Sequence, residues 1–206
     1  MSIIKLNNQG VKNATAFGSI TALGSMVFIK KLTASSSATL SFVHGTDGVV
    51  LDNTYKEYVF TFNNIHPSAN QPDFQFNFSI DGGSNYNVTK TTTTFYAIHS
   101  ENDATTGLAY NASFDSAQST AYQGLVGSLG NTSDESVSGI FRLFNPSSTV
   151  FVKHYITENQ YYNNNTYSQI YYGAGYGNTT SAIDAIRFQM SSGNIDSGDI
   201  CLYGIA

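Results

Sequence analysis

Apolar and polar residues alternate in short runs along this chain. The clearest run is Asp73–Ile80, with Phe74, Phe76, Phe78 and Ile80 on one side and Gln75, Asn77 and Ser79 on the other. A period of two sends successive side chains to opposite faces of a strand, so this run predicts a strand with one buried and one wet face. Tyr55–Phe62 repeats the pattern with Tyr58, Phe60 and Phe62. β-Branched and aromatic residues predict further strands over Met26–Leu32, Thr39–His44, Thr91–His99, Val137–Phe144, Thr149–Thr157, Tyr167–Tyr172, Ala182–Met190 and Asp199–Ile205. Turn signals separate them. Asp81-Gly82-Gly83-Ser84 predicts a hairpin returning through Tyr86–Lys90. Pro67 and Pro72 bracket a loop, Asn145-Pro146-Ser147-Ser148 reads as a turn, Gly173–Gly177 as a glycine-rich bend and Ser191–Gly198 as a loop.

No stretch presents a sustained helical face. Roughly eleven to thirteen short strands separated by turn signals are the pattern of a sandwich. The expected fold is all-β: a jelly-roll-like antiparallel β-sandwich over residues 26–206, with residues 1–25 as an extended N-terminal arm or an ordinary first strand. Periodicity weakens over Ser100–Ser136, where Leu108, Tyr110, Phe114 and Leu125 stand isolated. A stretch this long predicts short strands within an interface-forming loop.

Composition changes the picture of the surface. Charged residues make up 11% of the chain, against about 25% in an ordinary soluble domain. Asn, Ser, Thr, Gly and Tyr replace them, so the exterior adheres by hydrogen bonds and aromatic contact. Net charge is −5, and the nine basic residues are scattered, which speaks against the clustered cations of nucleic-acid binding. Hydrophobic residues at 41% suffice for a core. No run reaches the roughly 18 apolar residues of a membrane helix, and MSIIKLNN lacks the pattern of a secretory leader. The expectation is a chain made in a cytoplasm, with no membrane partner. The N-x-S/T triplets follow from composition and carry no assignment.

Chemistry is sparse. Cys201 is the single cysteine and lies in a predicted strand, where a small buried hydrophobe is expected. None of the four histidines, His44, His66, His99 and His154, sits at zinc spacing. His99-Ser100-Glu101-Asn102-Asp103 is the densest group of potential ligands, but it lacks the oxygen pattern of a calcium loop. Candidate acids for glycoside hydrolysis are Asp134, Glu135, Glu158 and Asp184; sequence does not place them across one cleft. No catalytic, cofactor-binding or metal-binding residue is assigned, and no cofactor is implied. The candidate binding residues are Tyr161, Tyr162, Tyr167, Tyr171, Tyr172 and Tyr176. With Tyr155 they make half of all the tyrosines, interleaved with Asn and Gln. Tyrosine offers wide contact area with a polar tip, suited to sugar hydroxyls or a protein partner. The competing reading is plain alternation within a strand pair.

Several segments resemble uncharacterised structural proteins of tailed phages, especially marine ones. They are Asp134-Glu135-Ser136-Val137-Ser138-Gly139, Leu143-Phe144-Asn145-Pro146-Ser147-Ser148-Thr149 with Phe151-Val152-Lys153-His154, and Met190-Ser191-Ser192-Gly193-Asn194-Ile195-Asp196-Ser197-Gly198 followed by Leu202-Tyr203-Gly204, together with the opening MSIIKLNN. The resemblance covers about half of the chain. It implies a β-sandwich on the virion, as a tail fibre, tail-associated protein or capsid decoration, and it brings no catalytic residues.

The functional expectation is a non-enzymatic virion structural protein, assembled in the host cytoplasm. Its partners are other virion proteins, met through the N-terminal arm and the loops, and copies of itself, with a cyclic trimer as the first expectation. One alternative is a glycan-binding module for host adsorption, with a host surface glycan as partner. A polysaccharide hydrolase is another.

Overall fold

The protein is described by a computed structural model covering residues 25–163 and 165–206. The alternating runs become twelve strands. They are β1 (Met26–Thr33), β2 (Leu40–Val43), β3 (Glu57–Pro67), β4 (Phe74–Ser79), β5 (Lys90–Ser100) and β6 (Thr106–Tyr110). The second half contributes β7 (Gln123–Val126), β8 (Val137–Phe144), β9 (Lys153–Tyr162), β10 (Tyr167–Gly177), β11 (Ala185–Met190) and β12 (Ile195–Ile205). No helix occurs among the described residues, and hence none long and apolar enough to cross a membrane.

Two antiparallel sheets form a β-sandwich. The large sheet runs β1-β12-β3-β8-β9-β10-β5-β6 and the small sheet β2-β11-β4-β7. The order is nested. First strand pairs with last, second with second-last, and β3 and β4 pair with β8 and β7. The remaining strands, β9, β10, β5 and β6, extend the large sheet beyond β8. The nesting brings the ends of the described fold together, where the Ala206 amide donates to the Ser25 carbonyl at 3.1 Å.

Inward-facing rings fill the space between the sheets. Phe42, Phe60, Phe62, Phe74, Phe76, Phe78, Phe141 and Phe188 are all fully buried. Phe188 from the small sheet meets Phe60, Phe62 and Phe141 from the large one edge-on, at 5.2–6.2 Å between centroids. Edge-to-face geometry places the positive ring edge on the negative face, worth about 0.5–1.5 kcal/mol per pair beyond burial. Cys201 is buried, as expected of a small hydrophobe.

Several local expectations are corrected. Gly82 and Gly83 do turn the chain, with φ of +68° and +81°, but no hairpin follows. β11 takes one edge of β4 and β7 takes the other from Phe74 to Phe76, so only the Phe78 end is left to the returning segment, which meets it through a single backbone bond from the Val88 amide to the Phe78 carbonyl at 3.5 Å. The segment is tied to β4 by a side chain as well, the Asn77 amide donating to the Tyr86 carbonyl at 2.6 Å. The polar face of β4 is therefore covered: Asn77 and Ser79 are buried, while Ile80 is exposed. Gly173–Gly177 is no bend but the second half of β10. Strand β9 starts at Lys153, later than Thr149, and β12 takes in Ile195–Gly198, which shortens the loop expected there. Ser100–Ser136 holds two short strands, β6 and β7, as expected. The proposed arm lies outside the described residues except for Ser25.

Candidate functional site

The structure divides the six candidate tyrosines into two sets. Strands β9 and β10 pair in continuous register from Tyr162↔Ser168 to Lys153↔Gly177. Odd positions of β9 point between the sheets and even positions point out. Tyr161 and Tyr171 therefore belong to the core, alongside Tyr155, and are corrected as freely exposed contacts. Tyr167 lies with these two around a recess at the end of the sandwich. Tyr162, Tyr172 and Tyr176, at the alternate positions, are half-exposed on the outside of the large sheet.

The recess has a volume of about 220 Å³, and Tyr96, Tyr161, Tyr167, Tyr171, Asn163, Asn165 and Gln169 contribute to its walls. Its back is fixed. The Tyr161 hydroxyl donates to the Gly127 carbonyl at 2.6 Å, and the Tyr171 hydroxyl accepts from Asn111 Nδ2 at 3.1 Å. Tyr96 stacks on Tyr171 with centroids 5.3 Å apart. Asn163 is committed to its turn, its Oδ1 accepting from the Asn165 and Tyr167 amides while Nδ2 donates to Gln169 Oε1 at 2.9 Å. Burial, first of all, raises the pKa of the Tyr161 and Tyr171 hydroxyls, and burial likewise raises that of Asp73 nearby. The recess thus offers neutral hydroxyls and amides, groups that match a polyol and lack a charged nucleophile.

The outer face of the large sheet is the second feature. Its registers align Phe28, Tyr203, Val59, Arg142, Ile156, Ala174 and Thr93 in one row. The next row holds Lys31, Cys201, Thr61, Ile140, Glu158, Tyr172, Phe95 and Tyr110. Phe28 is 57% exposed, Ile156 49%, Phe95 45% and Leu108 on the β6 edge 74%. Most charge there is paired: Arg142 with Glu57 at 2.8 Å and Lys31 with Asp199 at 3.2 Å, while Glu158 stands beside Ile140 and Tyr172 in its row. Open apolar areas of this kind are candidate interaction surfaces.

A trough crosses this face along β10. Ala174 forms its floor, with Ile156 and Thr93 on either side. The Phe95–Tyr172 stack, 5.1 Å between centroids, closes one end, and the His154–Tyr176 pair, 6.3 Å apart, the other. Two adjoining depressions of about 420 and 190 Å³ make up the trough. Phe28, Phe95, Ile156 and Ala174 were not singled out from sequence. The available signal was apolar residues at both parities of β5 and β9, which a strand with a wet face does not need.

The other candidates are dispersed. His99 Nε2 meets Asp103 Oδ1 at 2.9 Å on an exposed turn, and among the described residues no three His, Cys, Asp or Glu side chains converge on a metal position. Glu135 is buried and accepts from the Thr132 amide at 2.7 Å, while Asp134 accepts from the Thr132 hydroxyl at 3.0 Å. Asp184 accepts from the Gly82 amide at 2.9 Å. None of Asp134, Glu135, Glu158 and Asp184 lines the recess or the trough.

Compared with known protein families, curated proteins and solved structures, the chain matches none.

Proposed function

We propose that this chain is a non-enzymatic structural component of a tailed-phage particle. It is an exterior capsid decoration or a tail or fibre protein that works by protein–protein contact. The observation that carries the reading is the outer face of the large sheet, which is broad, rich in aromatic and apolar side chains, holds few charges, most of them paired, and lies open among the described residues. Burying apolar area yields about 25 cal/mol per Å², and with its charges few and mostly paired such a face has little to desolvate when covered. The nested strand order gives further support. Pairs β1–β12, β2–β11, β3–β8 and β4–β7 support reading the sandwich as jelly-roll-like, an architecture used by viral capsid and lectin domains. The segments resembling phage structural proteins include both ends of β8, Val137–Gly139 and Leu143–Phe144, and most of the path into β9. Fold alone does not assign function, so the surface bears the weight. The test is a reconstruction of a particle whose genome encodes this chain. Density for the sandwich with the outer face covered by a neighbour is expected; a complete particle without the chain sinks the proposal.

The recess supports a second reading, a host surface glycan as ligand. Its volume equals roughly seven waters at about 30 Å³ each, room for one sugar ring. Saturable binding of a host polysaccharide, lost in Tyr167→Ala and kept in Tyr172→Ala, is expected. Equal retention in both variants removes the recess as the sugar site.

A further inference from the structure

The trough has the shape of a peptide site. From Tyr172 to Tyr176 it follows one strand for about 13 Å, at roughly 3.3 Å per residue, and so accepts about four residues of extended chain. Its floor is a single methyl group, that of Ala174, and aromatic pairs stop both ends.

The chain itself carries a matching segment. Residues 1–24 contain Ile3, Ile4, Leu6, Val11, Phe17 and Ile20, and Lys5 and Lys12 are their only charges. That is +2 against −5 for the whole chain, leaving −7 on the remainder. Ile4 and Leu6 would share one face of an extended stretch, while Glu158 borders the Tyr172 end of the trough on the same face. The point of departure also fits. Met26, Ile205, Glu57 and Phe144 stand in one row across the large sheet. Leu143 faces Tyr155 and Tyr176 faces His154, so that row continues to the His154–Tyr176 end of the trough. Strand β10 lies five strand intervals from β1, about 24 Å at roughly 4.8 Å each. A stretch of 24 residues spans up to about 80 Å when extended.

We infer that residues 1–24 seat an apolar stretch in the trough floored by Ala174 and walled by Ile156 and Thr93, on the same subunit or on a second copy. This rests on the reading of the outer face as an assembly surface, and it names the occupant of one part of that surface.

The test uses the full chain with a photoreactive residue at Ile156, at Thr93 or, as a control, at Ile80, an exposed apolar position elsewhere on the fold. After irradiation, cross-linked peptides are mapped by mass spectrometry. Positions 156 and 93 are expected to capture residues 1–24 at least tenfold more than position 80, and Ala174→Arg, which plugs the floor, to cut that yield by a similar factor. Denaturing gels then assign the contact to one chain or two. Capture of only the sheet face of a second copy, or of nothing within 1–24 from either position, overturns the inference. The larger reading fails separately: it falls if the particle lacks the chain, whatever residues 1–24 contact.

Discussion

Lys90 is the least expected side chain in the interior. It is fully buried, and its Nζ donates to Asn77 Oδ1 at 2.6 Å and to the Val88 carbonyl at 2.9 Å, with no carboxylate among its partners. Burial therefore pulls its pKa down to about 7, from about 10.4 in water. Between these values the unfolded chain holds a proton that the folded chain has released, so stability rises with pH. The slope is at most about 1.4 kcal/mol per pH unit for one such group. Lys153, also lowered by burial, adds in the same direction. Tyrosines oppose the trend at higher pH: burial holds Tyr58 up to about 12 and also raises Tyr155 and Tyr161. The unfolded state then loses protons first and stability falls above about pH 10. Urea midpoints are expected to climb from about pH 7 to about pH 9.5, with most of the climb removed in Lys90→Met; an unchanged slope in that variant refutes the assignment. The tyrosine division gives a second expectation. Tyr161→Ala empties a core position and breaks the bond to Gly127, costing about 3–5 kcal/mol. Tyr172→Ala on the outer face costs under about 1 kcal/mol. Thermal melts that rank the two equally contradict the assigned faces.

Strand β10 shows how glycine can mislead at the level of an element. Gly173, Gly175 and Gly177 suggest a bend by composition, yet the strand runs straight through them because its neighbours press close. A Cβ on Gly175 would stand 2.6 Å from the Thr91 carbonyl and 2.7 Å from the Tyr155 hydroxyl. At Gly107 in β6 the nearest atom would lie at 3.5 Å, in ordinary contact. Gly175→Ala is expected to destabilise by about 1–3 kcal/mol through overpacking, and Gly107→Ala to be neutral or to stabilise by up to about 1 kcal/mol. Chemical denaturation of the two variants checks the contrast. Strands whose pattern is local were legible: Val137–Phe144 is β8 to the residue, and Asp73–Ile80 contains β4. The hairpin after Gly83 was not, because β7 takes the Phe74–Phe76 part of the β4 edge and leaves only the Phe78 end beside Val88, a division decided by residues far along the chain. The site followed the same rule. Tyrosine density over 155–176 was visible, and Tyr161-Tyr162 had to place one ring in and one out, but sequence does not say which. The trough joins Phe95, Ile156 and Ala174 from three strands, and no local pattern connects them.

Across the whole molecule, nesting makes the first and last strands structural partners. β12 lies between β1 and β3 and pairs with both along most of its length, so the large sheet does not close until the last residues of the chain are in place. Contacts this distant in sequence slow folding, but they also leave the final structure indifferent to where the chain is cut, provided the strands remain intact. The Ala206–Ser25 hydrogen bond puts both ends of the described fold at one corner. Residues His44–Gly48 form an exposed turn between β2 and β3, closed by its own bond from the Gly45 amide to the Val49 carbonyl at 2.9 Å. A circular permutant beginning at Gly48, running through Ala206 directly into Met1 and ending at Asp47, keeps every strand pair and uses residues 1–24 as the linker. It is expected to fold with the parent's far-UV spectrum and to melt within about 4 °C of it, the upper end of the shift that about 1 kcal/mol produces in a domain of about 200 residues. The complementary variant, ending at Gly198, removes most of β12 and exposes the inner edges of β1 and β3. It is expected to be insoluble or to lack a cooperative melt. A permutant that fails while the truncated chain folds would place the organising contacts elsewhere than in the nested pairs.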